Sequence, residues 1–155
     1  MYLITVILSM FVLPIASILI EFLVFRSSAG LTFLIGKWFV FWAVGFRLVL
    51  AGLRQAITPQ FTTKKILGIS AKEPLIVVQE LGFANLSLGL LGIGSILKPA
   101  WVIPVAIAGC LFLGLAGIRH FATKHRNILE NIALSSNLFV AIVLLAYLIC
   151  TIAKP

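Results

Sequence analysis

Apolar runs fill most of the chain, and the polar residues gather where the runs stop. The first run extends from Tyr2 to Phe25 and ends at Arg26-Ser27-Ser28-Ala29-Gly30, a helix-stop composition. The second runs from Leu31 to Leu53 and ends at Arg54-Gln55. The third runs from Pro74 to Leu97 and is followed by a Lys98-Pro99 turn. The fourth covers Ala100 to Ile118 and the fifth Ile132 to Ile152. Roughly 20 apolar residues in helical form cross the hydrocarbon core of a bilayer. The pattern therefore predicts an all-α fold: a polytopic membrane helix bundle of five transmembrane helices, in a single domain over residues 1–155. Pro14 predicts a kink in the first span.

Two hydrophilic segments interrupt the runs, at 55–73 and 119–131. In the first, Thr58-Pro59 has the form of an N-cap followed by proline at the first helical position, and Gly68 would stop the helix. Phe61, Ile66 and Leu67 alternate there with Gln60, Lys64 and Lys65, which fits a short interfacial helix or an ordinary loop.

Composition explains where the apolar residues must go. The chain is 62% hydrophobic and 10% charged, with a mean hydropathy of +1.21. Soluble domains average about half apolar and a quarter charged, so the excess is lipid-facing surface. The first run is too long for the core of a signal peptide and lacks a basic leader, so it reads as a span.

The net charge of +8 would suggest nucleic acid in a soluble protein. Here the cations sit between apolar runs, and no nucleic-acid partner is expected. Five spans put both hydrophilic segments on one side, with Arg54, Lys64, Lys65, Lys72, Arg119, Lys124 and Arg126. The other side holds Arg26, Lys37, Lys98 and Lys154. The positive-inside bias predicts a multi-pass cell-membrane protein with a cytoplasmic N-terminus, an outer C-terminus, and basic loops against anionic lipid head groups.

Polar residues inside spans are expensive and usually face other helices. Arg47 lies seven residues before Arg54, and Glu80 six residues after Pro74. Asn137 lies six residues past Asn131. Counted from these span ends, the three sit at similar depth below the basic face. They predict a buried polar cluster of Arg47, Glu80 and Asn137, with Asn85 of the third span counted in and Arg119 at its mouth. The cluster is either a functional cavity or an ion pair that fixes helix register. Glu21 and Lys37 form a second predicted pair at the opposite face, with Trp38 and Trp42 as interfacial aromatics.

Small residues predict the packing. On the third span Glu80, Ala84, Ser87 and Gly94 share one face, while Gly82, Asn85, Gly89 and Gly92 share nearly the opposite one. The fourth carries Ala106, Cys110, Gly114 and Gly117. Such stripes let backbones approach closely, and they predict a central third span packed tightly against the fourth.

Catalytic signatures are missing. There is no P-loop, no HExxH and no GxSxG. Glu80 is the one acidic residue deep in a span. His120 and His125 lie in a charged segment, and Cys110 and Cys150 lack a CxxC partner, so no metal or cofactor is expected.

The segments Arg54-Gln55-Ala56-Ile57-Thr58-Pro59-Gln60-Phe61-Thr62 and Glu80-Leu81-Gly82-Phe83-Ala84-Asn85-Leu86-Ser87-Leu88-Gly89 resemble a family of small bacterial membrane proteins of unknown function. Gly117-Ile118-Arg119-His120-Phe121 and Asn137 extend the resemblance, which implies no activity. More loosely, a glutamate opening a glycine-rich span resembles DoxX-like four-span proteins, some linked to quinone redox systems; five spans depart from that pattern. The residues favour a non-enzymatic accessory or scaffold protein acting through helix packing, as a homo-oligomer or with a membrane partner. The alternatives are a small transporter or channel with a buried Arg47/Glu80 site and a membrane enzyme handling a lipid or quinone.

Overall fold

A computed structural model describes residues 2–26, 28–66 and 74–153. Gly68 and Lys72 of the first hydrophilic segment, and Lys154 at the end, lie outside the described residues. Among the described residues, five helices are long and apolar enough to cross a membrane: α1 (Leu3–Val24), α2 (Leu31–Ile57), α3 (Leu75–Gly94), α4 (Pro99–Phe121) and α5 (Ile128–Ile152). A short helical segment, Phe61–Ile66, follows α2. There is no strand among the described residues.

The ends of the helices follow local chemistry. α5 begins at Ile128, ahead of the apolar run proper, because Asn127 caps it. The Asn127 side chain accepts from the Glu130 amide, and the Glu130 carboxylate accepts from the Asn127 amide, forming a capping box. Arg126 closes the preceding helix by donating to the carbonyls of Thr123 at 2.6 Å and Phe121 at 2.9 Å. Asn127 also donates to the carbonyl of Ile66 at 2.9 Å, so the two hydrophilic segments are tied together at one end of the bundle. α2 continues past Arg54 to Ile57, and the Arg54 guanidinium stands over the Phe61 ring at 4.5 Å.

α1 and α2 carry wider turns of π-helix at Leu8–Val12, Ile20–Val24 and Val40–Phe46. The turn at Leu8–Val12 ends two residues before Pro14 and contains Met10, four residues back from it. Proline gives no amide hydrogen and its ring crowds the carbonyl four residues back. The distortion predicted at Pro14 takes the form of this wider turn.

The middle of the bundle belongs to α2 and α5. In each, 44% of the most apolar window is buried, against 28% in α3. Leu34, Val40 and Val44 of α2 meet Leu113 of α4 and Val140 and Leu144 of α5 in a core that Met10 of α1 completes. The opposite side of α2 is fused to α3. A Cβ on Gly45 would stand 2.7 Å from the Ile93 amide nitrogen, one on Gly89 2.7 Å from the Val49 nitrogen, and one on Gly52 2.6 Å from the Gly82 carbonyl oxygen. These are backbone atoms, so the two helices touch main chain to main chain and only glycine fits.

This corrects the predicted arrangement of spans 3 and 4. The helix packed on two sides is α2, and α3 lies outside it with one face committed. Gly82, Gly89 and Gly92 are packing residues, but their partner is α2. The small stripe on α4 turns to α5: Cys110 Sγ approaches the Ala141 carbonyl at 3.4 Å, Gly114 faces Ala141 and Gly117 faces Leu138. A short connection between two spans sets their adjacency but leaves their facing stripes free to choose other helices. α3 and α4 meet where Trp101 lies against Gly94.

Candidate functional site

The buried polar centre is built on α2, α5 and α1. Arg47 is the first residue after the π turn Val40–Phe46. Its Nη2 donates to Asn137 Oδ1 on α5, and its Nη1 points at Met10 Sδ on α1 at 3.2 Å. Asn137 is buried and Met10 wholly so. An arginine at this depth would be expensive in hydrocarbon; a charge-assisted bond to an amide oxygen offsets that, at about 1.5–3 kcal/mol for a hydrogen bond to a charged group. The guanidinium does not give up its proton in a protein. The arrangement therefore orients three helices around a fixed charge, and Arg47 itself carries no proton transfer.

Glu80 is not part of this centre. The α2–α3 seam sets the register: Gly45 faces Gly92, Val49 faces Gly89, and Gly82 faces Ala56. Glu80 is two residues further toward the hydrophilic end than Gly82, and so stands near the level of Thr58. Arg47 is eleven residues from Thr58, which corresponds to ~16 Å along a helix. Depth counted from Arg54 and Pro74 misjudged both, because α2 extends to Ile57 and the seam slides α3 relative to it. The Glu80 side chain is exposed and bonds to no described residue. A path flanked by Arg47 and Glu80 together does not exist at one level.

Asn85 and Arg119 also lie apart from Arg47. Asn85 is buried in the α2–α3 seam and donates to Gln55 Oε1 at 2.6 Å. Its own Oδ1 is buried and receives no hydrogen bond among the described residues. Arg119 is exposed at the end of α4 and donates to Thr123 Oγ1 at 3.2 Å. Of the five residues predicted to cluster, the structure brings together Arg47 and Asn137. Met10 and Gln55, which complete the two buried contacts, were not singled out from the sequence. Gln55 falls in the first hydrophilic segment of the sequence and joins the seam because α2 runs on to Ile57; Met10 had no signal, being an apolar residue in an apolar run.

A second polar group lies at the other end of the bundle. Lys37 Nζ meets both carboxylate oxygens of Glu21, at 2.7 and 2.8 Å. Trp38 Nε1 donates to the same carboxylate at 2.8 Å, and Trp42 Nε1 donates to Ser17 Oγ at 3.0 Å. The ammonium of Lys37 also stands over the Trp38 ring, 4.9 Å from its centroid. α1 and α2 are thus joined by the Glu21–Lys37 pair read from the sequence, with both indoles turned inward to the same contact.

Comparison with known proteins gives one family. The model of a family described as "Family of unknown function (DUF6790)" matches residues 4–154. No curated protein and no solved structure gives a match. Nothing in these comparisons supports the looser DoxX-like resemblance.

Proposed function

The chain belongs to DUF6790, a family of unknown function, and on that footing we propose from its own surfaces that it is a non-enzymatic accessory or scaffold protein of the membrane. It acts by helix contact, and its first partner is a second copy of itself. One observation carries the reading. The α3 helix has two faces rich in small and polar residues; the glycine face is consumed by α2, while Glu80, Ala84 and Ser87 on the other are exposed. A carboxylate at the head-group end of an outward face, with small Ala84 and Ser87 below it and the Ser87 hydroxyl turned onto the Phe83 carbonyl at 2.9 Å, suits the close approach of another helix.

Charge argues for a second copy. Glu80 stands at the hydrophilic end, where Arg119 and Lys124 are also exposed. A neighbouring copy would bring its cations to a carboxylate that has none among the described residues. The basic end would face the cytoplasm and anionic head groups, with the N-terminus inside and the C-terminus outside. The test is Ser87→Leu, measured as particle mass by light scattering in a mild detergent. Leucine on a lipid-facing surface is harmless, so the monomer remains folded. The expected result is a dimeric or larger wild-type particle that falls to a monomer on substitution. A wild-type chain that is monomeric at all concentrations, or an oligomer indifferent to Ser87→Leu, contradicts the reading.

A further inference from the structure

Beside the Glu21–Lys37 pair lies an open, cleft-like cavity of ≈ 540 Å³, lined by Ser17, Ile20, Glu21, Phe25 and Trp38. Cavities of roughly 300–1,000 Å³ with apolar walls and a few converging polar groups are the usual form of small-molecule sites. This one sits at a defined level. Glu21 is three residues from the end of α1 and Lys37 six residues from the start of α2. At ~1.5 Å per residue both are within about 5–9 Å of the helix ends, at the boundary between head groups and acyl chains where indoles concentrate. It is the end opposite the basic segments.

We propose that this cavity binds a zwitterionic phospholipid carrying a primary ammonium in its head group. The chain's own lysine shows what the corner accepts: an ammonium that is salt-bridged to Glu21 while it stands on the face of Trp38. The pair is neutral overall, so a purely anionic or purely cationic ligand gains at one member and loses at the other. A head group with both charges matches both. Its ammonium is taken by the acceptor position that the Glu21 carboxylate keeps beyond its bonds from Lys37 and Trp38, beside the Trp38 ring. Its phosphate is taken by the Ser17 hydroxyl of the lining, which accepts from Trp42 and donates to no described residue, with the charge of Lys37 standing behind the Glu21 carboxylate. Ile20 and Phe25, both exposed apolar side chains, line the rest of the cavity, and an acyl chain would lie along them. This site is separate from the α3 face, and each can fail without the other.

The experiment is native mass spectrometry of the full chain in detergent with added dioctanoyl phosphatidylethanolamine, dioctanoyl phosphatidylglycerol or free phosphoethanolamine. The ethanolamine lipid is expected to bind at least roughly tenfold more tightly than the glycerol lipid, which lacks the ammonium, as the loss of one charged hydrogen bond implies. Glu21→Gln is expected to weaken binding by roughly tenfold or more. Because that change leaves Lys37 without its carboxylate, Ile20→Trp provides a second variant: it fills the cavity and leaves the ion pair in place, and it is expected to abolish binding. Equal affinity for the two lipids, or an unaffected Ile20→Trp, overturns the proposal. So does free phosphoethanolamine binding as tightly as the lipid, which would make the occupant a soluble phosphoamine.

Discussion

Replacing Gly89 by alanine adds one methyl group between α2 and α3. That Cβ would lie 2.7 Å from the Val49 nitrogen and 2.9 Å from the Gly45 carbonyl oxygen. An ordinary non-bonded contact is about 3.5 Å, so the helices would have to part by well over half an ångström. Main-chain atoms cannot rotate aside, and as the seam opens the neighbouring contacts at Gly45, Gly52 and Gly92 loosen with it. Overpacking of this kind destabilises by about 1–3 kcal/mol. Gly114→Ala is the matched control, because its Cβ would meet Ala141 Cβ at 3.6 Å, an ordinary contact. Both are mid-helix Gly→Ala changes, so the gain in helix propensity, about 1 kcal/mol, cancels between them. The difference isolates the seam. SDS-induced unfolding in mixed micelles, followed by far-UV circular dichroism, should find Gly89→Ala about 1–3 kcal/mol less stable than Gly114→Ala. Two variants within about 0.5 kcal/mol of each other would refute main-chain contact between α2 and α3.

Asn137→Leu removes the amide oxygen that Arg47 uses and should destabilise by about 1.5–3 kcal/mol; adding Arg47→Met should recover part of this, giving a coupling of about 1 kcal/mol or more in the double-mutant cycle by the same unfolding assay. Asn127→Ala removes half of the α5 capping box and should cost about 1 kcal/mol, and hydrogen exchange should rise at the first turn of α5 and in Phe61–Ile66, which Asn127 also holds. Glu80→Gln should change the stability of the monomer by less than about 0.5 kcal/mol, as for an exposed side chain with no described partner, while lowering the tendency to self-associate.

The five helices were legible because apolar length is a direct reading of bilayer thickness, and their ends shifted only where a local device acted. The α5 start moved because Asn127 and Glu130 form a capping box across the charge-rich segment, a spacing the sequence displays but apolar runs do not. The small-residue faces were legible as packing faces, yet their partners were not. Gly82 and Gly89 announce close approach without naming α2, since composition is alike on every candidate neighbour. The same gap undid the Arg47–Glu80 pairing. Depth counted from each span's own end assumes that all ends are level, and the seam between Gly45 and Gly92 slides α3 to a different register. Arg47 and Asn137 survived that error because it was equal for both: α2 runs three residues past Arg54, and α5 starts three residues before Asn131. The wider turns before Arg47 and around Met10 aim those side chains, and no residue pattern announced them apart from Pro14.

Cross-linking in native membranes tests the central proposal most directly. With Cys110 and Cys150 replaced by alanine, Ser87→Cys places a thiol on the exposed face of α3, and Leu111→Cys places one on the outer face of α4, where Leu111 is 61% exposed. A short thiol-to-thiol reagent should yield a covalent dimer from Ser87→Cys and none from Leu111→Cys. A monomer from Ser87→Cys, or equal dimer from both positions, would contradict self-association through α3.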